Sequence, residues 1–240
     1  MGLFSTVLHV YGSNQTEIIK EIVNELRESR NFSNFNKLDI DNSNYETVIS
    51  NTYSNDGVYY LITDKYNNWT TLIEVNVKIE NPFYLYELTN GLSKRLNTYA
   101  LSFHLHDGDV LYYNLEYKGE PLDGYSSDLQ YFLEEPALAE EITSQRHNPI
   151  HFKEILPSTK TVEGFNSILN EGYWNAFDNN DLDEDGIPND DKYFVDEEDR
   201  FVRIGLYLEL YSADDYPFAY WHSNLSKLEL GSCYLIKTNF

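Results

Sequence analysis

His104 and His106 stand two residues apart in the run YALSFHLHDGD, and Asp107 and Asp109 follow them. Alternate side chains of an extended chain share a face, so both imidazoles would project from one side of a strand, beside a carboxylate-bearing turn. Neutral imidazole nitrogen and carboxylate oxygen are ligands for zinc and related ions. A metal-dependent enzyme using His104 and His106 is therefore one reading of this stretch. The set is short, because Val110 stands after Asp109 where a further histidine would extend it. The competing reading is two polar side chains on a wet sheet face.

The second chemical feature is the acidic stretch from Asp178 to Asp199. It holds 11 carboxylates and one base, Lys192. Asp181, Asp183, Asp185 and Gly186 match the first half of a calcium loop. Oxygens at alternate positions converge on a hard cation, and the glycine permits the sharp turn. Ile187 would add a backbone carbonyl and Asn189 a further oxygen. The run DLDEDGIPNDD resembles the aspartate-rich calcium repeats of thrombospondin type 3 and dockerin modules over about a dozen residues. Lys192 stands at the twelfth position, where an EF-hand has its bidentate glutamate, which weakens or abolishes the site. Calcium is thus the candidate ion for this loop, the alternative being a solvated acidic loop around an Asp-Gly turn. The chain would then be a calcium-stabilised structural module.

Other chemistries are not written in the chain. There is no Gly-x-Ser-x-Gly elbow, phosphate loop or dinucleotide fingerprint. The lone Cys233 excludes an internal disulfide and a multi-cysteine metal site, and fits a reducing, cytoplasmic setting. The formal net charge of −23 opposes nucleic-acid backbones and favours a basic protein partner or a cation. No run reaches the length of a membrane span. The 21 tyrosines can bury their rings and keep their hydroxyls wet, which suits binding surfaces.

The elements that must position these residues are legible in order. Leu3–Val10 reads as a strand. Asn14 with Glu17 makes a capping-box start to a helix carrying Ile18, Ile19, Ile22, Val23 and Leu26. The Asn-rich passage to Asn44 reads as loop, and Tyr45–Tyr53 as a short helix. Val58–Asp64 and Trp69–Ile79 read as strands around Tyr66-Asn67-Asn68. A helix follows Asn81-Pro82, with Leu85, Leu88, Leu92 and Leu96 as its stripe. The hairpin Tyr99–Tyr117 turns at Asp107-Gly108-Asp109, with Leu101, Phe103 and Leu105 inward and Ser102, His104 and His106 outward. Beyond Lys118, Gly119, Pro121 and Gly124 mark turns, and Tyr125–Phe132 reads as irregular. Glu134–Arg146 and Thr161–Phe177 have helical patterns. Phe201–Tyr211 and Ser232–Lys237 read as strands.

Helices separated by hairpins predict an α+β fold: a largely antiparallel sheet with helices packed on one face, plus a C-terminal helix-and-strand extension. The expected parts are an α+β sandwich over 1–118, a connecting segment over 119–160 and a C-terminal part over 161–240, packed as one unit.

In texture the chain is similar to the small, acidic, cytoplasmic immunity proteins that neutralise bacterial toxins. The stretch FHLHDGDVLYYNLEYKGEPLDGYSSDLQYF also resembles uncharacterised bacterial proteins of comparable α+β layout. The resemblance implies a non-catalytic binding protein, with a basic protein as partner and neither nucleic acid nor membrane. Asp196, Glu197, Glu198, Asp199, Tyr112 and Tyr113 are the candidate partner-facing residues: fixed charges to steer, rings to anchor.

Overall fold

The computed structural model describes residues 5–29, 35–40, 58–75, 84–106, 108–128, 147–170, 197–210 and 233–238. The strands are β1 (Ser5–Tyr11), β2 (Phe35–Ile40), β3 (Val58–Ile62), β4 (Trp69–Val75), β5 (Tyr99–His106), β6 (Val110–Tyr117), β7 (Glu120–Ser126) and β8 (Cys233–Thr238). The helices are α1 (Gln15–Ser29), α2 (Tyr84–Leu96), α3 (Val162–Asn170) and α4 (Glu197–Tyr207), with a 3-10 turn at Pro149–Phe152.

Local chemistry accounts for several boundaries. The amide of Asn14 donates to Glu17 Oε2 at 2.9 Å, and the amide of Glu17 donates to Asn14 Oδ1 at 3.0 Å. This reciprocal pair satisfies amides that the first turn of α1 leaves over. Between β3 and β4, Tyr66 bridges Trp69 and Asn67 takes a φ of 49°. Between β6 and β7, Lys118 and Gly119 have φ of 56° and 85°, and Tyr117 pairs with Glu120. Two positive φ values in a two-residue loop make the turn whose twist suits a hairpin.

The sheet order is β2-β8-β3-β4-β1-β5-β6-β7, and every neighbouring pair is antiparallel. This is the expected α+β class. Two segments read as non-strand belong to the sheet. Phe35–Ile40, read as loop, pairs with β8, and Glu120–Ser126, read as turns leading into an irregular passage, pairs with β6. The sheet therefore runs across residue 118, where the sequence suggested a connecting segment. The C-terminal strand β8 lies between β2 and β3 rather than at an edge.

Helices cover both faces of the sheet, and the expectation of an open, wet face is corrected. On one face Leu8, Val10, Ile62, Leu72 and Ala100 pack with Ile18 and Ile22 of α1 and Leu88 and Leu92 of α2. On the other, Val7, Ile73, Leu101, Phe103, Leu105, Leu111, Tyr113 and Leu115 meet Phe152, Phe165 and Leu169, with Phe201, Ile204 and Leu208 of the α4 region. Phe103 is central there, its ring 5.3 Å from Phe201 and 6.0 Å from Tyr113 in edge-on arrangements. Burying each such aromatic contributes about 2–3 kcal/mol.

The reading of Phe201–Tyr211 as a strand is also corrected, since Glu197–Tyr207 is helical. Phe201, Ile204 and Leu208 recur at helical spacing. Glu197, Glu198 and Asp199 in the first turn complement the positive helix start. The run FVRIGLYLEL is dense enough in apolar residues to fit either period. Of the expected strands at Val58–Asp64 and Trp69–Ile79 and the helix at Thr161–Phe177, Val58–Ile62, Trp69–Val75 and Val162–Asn170 form as expected, residues 76–79 and 171–177 lie outside the described residues, and so do the expected elements at Tyr45–Tyr53 and Glu134–Arg146.

Arg200 docks α4 onto α3. Its Nε donates to Glu197 Oε1 at 3.1 Å, and its Nη1 donates to the carbonyls of Ile168 at 3.0 Å and Leu169 at 2.7 Å. The guanidinium thus meets the negative end of α3, inside a site where Arg200 is 3% and Glu197 0% exposed. Replacing Arg200 by Met strands a buried carboxylate, and chemical denaturation should show a loss of about 3–5 kcal/mol. Gly119→Ala should cost about 1–3 kcal/mol in the same assay, because the new Cβ would sit 2.7 Å from Lys94 Cβ at a left-handed φ.

Candidate functional site

Strand register assembles a polar row on the face that α1 and α2 cover. Thr6 on β1 pairs with His104 on β5, His104 with Tyr112 on β6, and Tyr112 with Ser126 on β7. His106 is the next same-face residue along β5. Thr6 Oγ1 lies 2.9 Å from His104 Nδ1. The His104 ring centroid is 6.1 Å from that of His106 and 6.2 Å from that of Tyr112. Thr6, His104, His106 and Tyr112 are half-buried. Burial, and then the neighbouring His106, lower the His104 pKa to about 4. The ring is thus neutral at physiological pH and can accept at one nitrogen while donating at the other.

His9 lies on the opposite face, between Val7 and Tyr11, and is completely buried. Its Nδ1 is 2.8 Å from Thr71 Oγ1, and its ring stands edge-on to Trp69 at 6.3 Å and Phe103 at 5.8 Å. Burial lowers its pKa to about 3. It is a neutral core residue, remote in face from His104. Glu116 is buried as well, accepting from Asn90 Nδ2 at 2.7 Å. Burial raises its pKa, against the opposing effect of the Asn90 hydrogen bond.

A second grouping is acidic. The Glu197 amide donates to the Gly108 carbonyl at 3.1 Å, which brings the start of α4 onto the β5–β6 turn. Asp109 is exposed on that turn, and Glu198 and Asp199 are half-buried on the adjoining helix. Asp199 pairs with Arg203 at 3.5 Å. Negative charge from two distant parts of the chain therefore meets at one corner.

The candidate partner-facing residues divide accordingly. Glu198, Asp199 and Tyr112 retain accessible surface. Tyr113 does not: it is 1% exposed, stacks on Tyr125 at 5.5 Å and donates to Asp123 Oδ2 at 2.9 Å. Glu197 is consumed by Arg200. The expectation that Tyr113 and Glu197 face a partner is corrected, because the C-terminal helices roof the strand face and enclose the first turn of α4. Asp196 and the calcium-loop residues Asp181, Asp183, Asp185, Ile187 and Asn189 lie outside the described residues.

Sequence reasoning missed Thr6, Arg200 and the buried state of His9. Alternation in VLHVY places His9 with Val7 and Tyr11, a signal for burial. The Thr6–His104 contact depends on register between strands 98 positions apart, which no local pattern encodes. Among the described residues no helix is long and apolar enough to cross a membrane. No family model matches the chain, and comparisons with curated proteins and with solved structures return no match.

The histidines generate a pH prediction with a definite sign. Both folded-state pKa values lie below the ordinary 6.5, so their neutral forms stabilise the fold above pH 6.5. That contribution is lost as pH falls through about 4 for His104 and about 3 for His9. By pH 4 each imidazole should remove on the order of 3 kcal/mol, with protonation of Glu116 acting in the opposite direction. An NMR titration should find both rings neutral at pH 5.5, and the melting temperature should fall between pH 6.5 and 4. A ring titrating near 6.5 would contradict the assignment.

Proposed function

We propose that this is a non-catalytic, acidic binding protein whose role is to engage and neutralise a basic protein, in the manner of bacterial immunity proteins. The observation that carries this reading is the formal net charge of −23. Such a charge raises the encounter rate with a cationic partner and discourages wrong ones. The corner where Asp109 meets Glu198 and Asp199 supports it, because it places steering charges on a rigid hairpin and helix start rather than scattering them. Tyr112, half-buried on the same hairpin, is the candidate aromatic anchor. The buried His9, Glu116 and Glu197 have structural tasks, which is consistent with a scaffold for binding. The cytoplasm, where a lone thiol stays reduced, is the proposed setting.

Affinity capture from the native host, followed by stopped-flow association, tests this. The expected result is a basic protein whose association rate falls steeply as salt is raised past physiological strength. The double variant Asp109→Lys, Glu198→Lys should slow association by about tenfold at low salt and change dissociation little. Recovery of only acidic partners, or an association rate indifferent to salt, would refute the proposal.

A further inference from the structure

We propose that the Tyr117 ring is a docking site for an arginine side chain of a basic protein, its place held in the free chain by Lys118. Strand register assembles the surroundings. Trp69 of β4 pairs with Tyr11 of β1, Tyr99 of β5 with Tyr117 of β6, and Tyr117 with Glu120 of β7. Tyr11 and Tyr99 follow the Val10–Ala100 pair and meet edge-on at 6.2 Å. Tyr11 stands edge-on to Trp69 at 5.0 Å, and Tyr99 stacks on Tyr117 at 4.3 Å. An aromatic row thus crosses four strands at one end of the sheet and finishes on a carboxylate. Trp69 is buried, whereas Tyr11, Tyr99 and Tyr117 are half-buried and keep accessible surface.

The position of Lys118 shows that this row takes a cation. Its Nζ lies 4.7 Å from the Tyr117 ring centre, within the range of attraction between an ammonium and a ring face. Tyr99 covers one face of Tyr117, so Lys118 lies over the other. Lys118 is exposed and sits on a long flexible stem, which an incoming side chain can displace. A guanidinium is planar and less strongly hydrated than an ammonium, and it stacks on an aromatic ring, so arginine is favoured there over lysine. The charges nearby are complementary. Glu120 is exposed and shares Tyr117's side of the sheet, with paired Cβ atoms about 5 Å apart, so a guanidinium fork can meet its carboxylate. Burial, then Tyr117, then the exposed Glu154 raise the pKa of Tyr99, so the charge of Glu154 also reaches these rings. The source of the arginine rests on the basic-partner reading. Tyr117 adds a second anchor to the hairpin that carries Asp109 and Tyr112.

An NMR titration of the full chain with acetyl-Gly-Arg-Gly amide tests the site at physiological ionic strength, where diffuse attraction to the acidic surface is screened. The ring signals of Tyr117 and Tyr99 should shift. The citrulline peptide, similar in shape but uncharged, should leave them in place, and the lysine peptide should bind about threefold more weakly. Tyr117→Leu should weaken arginine binding by about threefold or more. Lys118→Asn covers the case in which that variant fails to fold, since Lys118 is exposed and asparagine tolerates its φ of 56°. Removing the resident cation should tighten arginine binding by about twofold, while Lys20→Gln, a like charge change on α1, should leave it unchanged. Binding indifferent to both Tyr117→Leu and Lys118→Asn, a lysine or citrulline peptide that binds as well as the arginine one, or an unmoved Tyr117 ring would overturn the site. A captured basic protein that still associates with a steep salt dependence would then leave the basic-partner reading standing, which separates the two failures.

Discussion

Strands β1 and β5 lie between two helical layers, and that placement constrains everything else. A strand covered on both sides has no wet face on which to leave a polar group, so each side chain must be apolar or hydrogen-bonded. Several polar side chains in and around the sheet meet this demand with hydrogen bonds. His9 takes Thr71, Thr70 Oγ1 donates to the Ser13 carbonyl at 2.8 Å, and Gln15 Nε2 donates to the Ile62 carbonyl at 2.8 Å. These bonds tie the loops around α1 to the sheet. The low pKa of His9 is a direct consequence, because enclosure penalises its charged form.

The same constraint explains why the described ionisable groups divide into a buried set and a surface set. Glu197 with Arg200 is buried because α4 must dock on α3, where free carbonyls at the end of α3 need donors. Glu116 is buried because α2 crosses the β6–β7 turn, with Asn90 bonding both Glu116 and the Gly119 carbonyl. Among the described residues, Asp109 is exposed on a turn, and Glu163, Glu198 and Asp199 stand at helix starts. Binding through such places needs no motion of the core, and this links the architecture to the proposed role.

His104 occupies the boundary between these sets. It is covered enough to lose most of its affinity for a proton, yet it stands at the end of β5 beside an accessible turn. The Thr6 hydroxyl supplies orientation, a role that a threonine on an adjacent strand performs only because the register is held by two-sided burial.

Short-range chemistry made a good part of this protein legible in its residues. The reciprocal Asn14–Glu17 start, the hairpin from Tyr99 to Tyr117 and the stripes on α1 and α2 follow from spacing within a dozen positions. So does the α+β class, from the order of helices and hairpins. What only the tertiary structure decided is which layer covers each face and which strands become neighbours. Alternation in β5 distinguishes Leu101, Phe103 and Leu105 from Ser102, His104 and His106, but it is silent about a second roof supplied by Phe152, Phe165, Leu169 and the α4 region. Phe35–Ile40 is a strand because β8 lies alongside it, about 200 positions later in the chain. Phe201–Tyr207 is helical because that period presents Phe201 and Ile204 to a surface already formed by Phe103 and Tyr113. Burial of Tyr113 and Glu197 follows from the same docking. Hydrogen bonds and apolar contacts act at a few ångströms, so a pattern along the chain can announce a face, while only the folded neighbour determines what that face becomes.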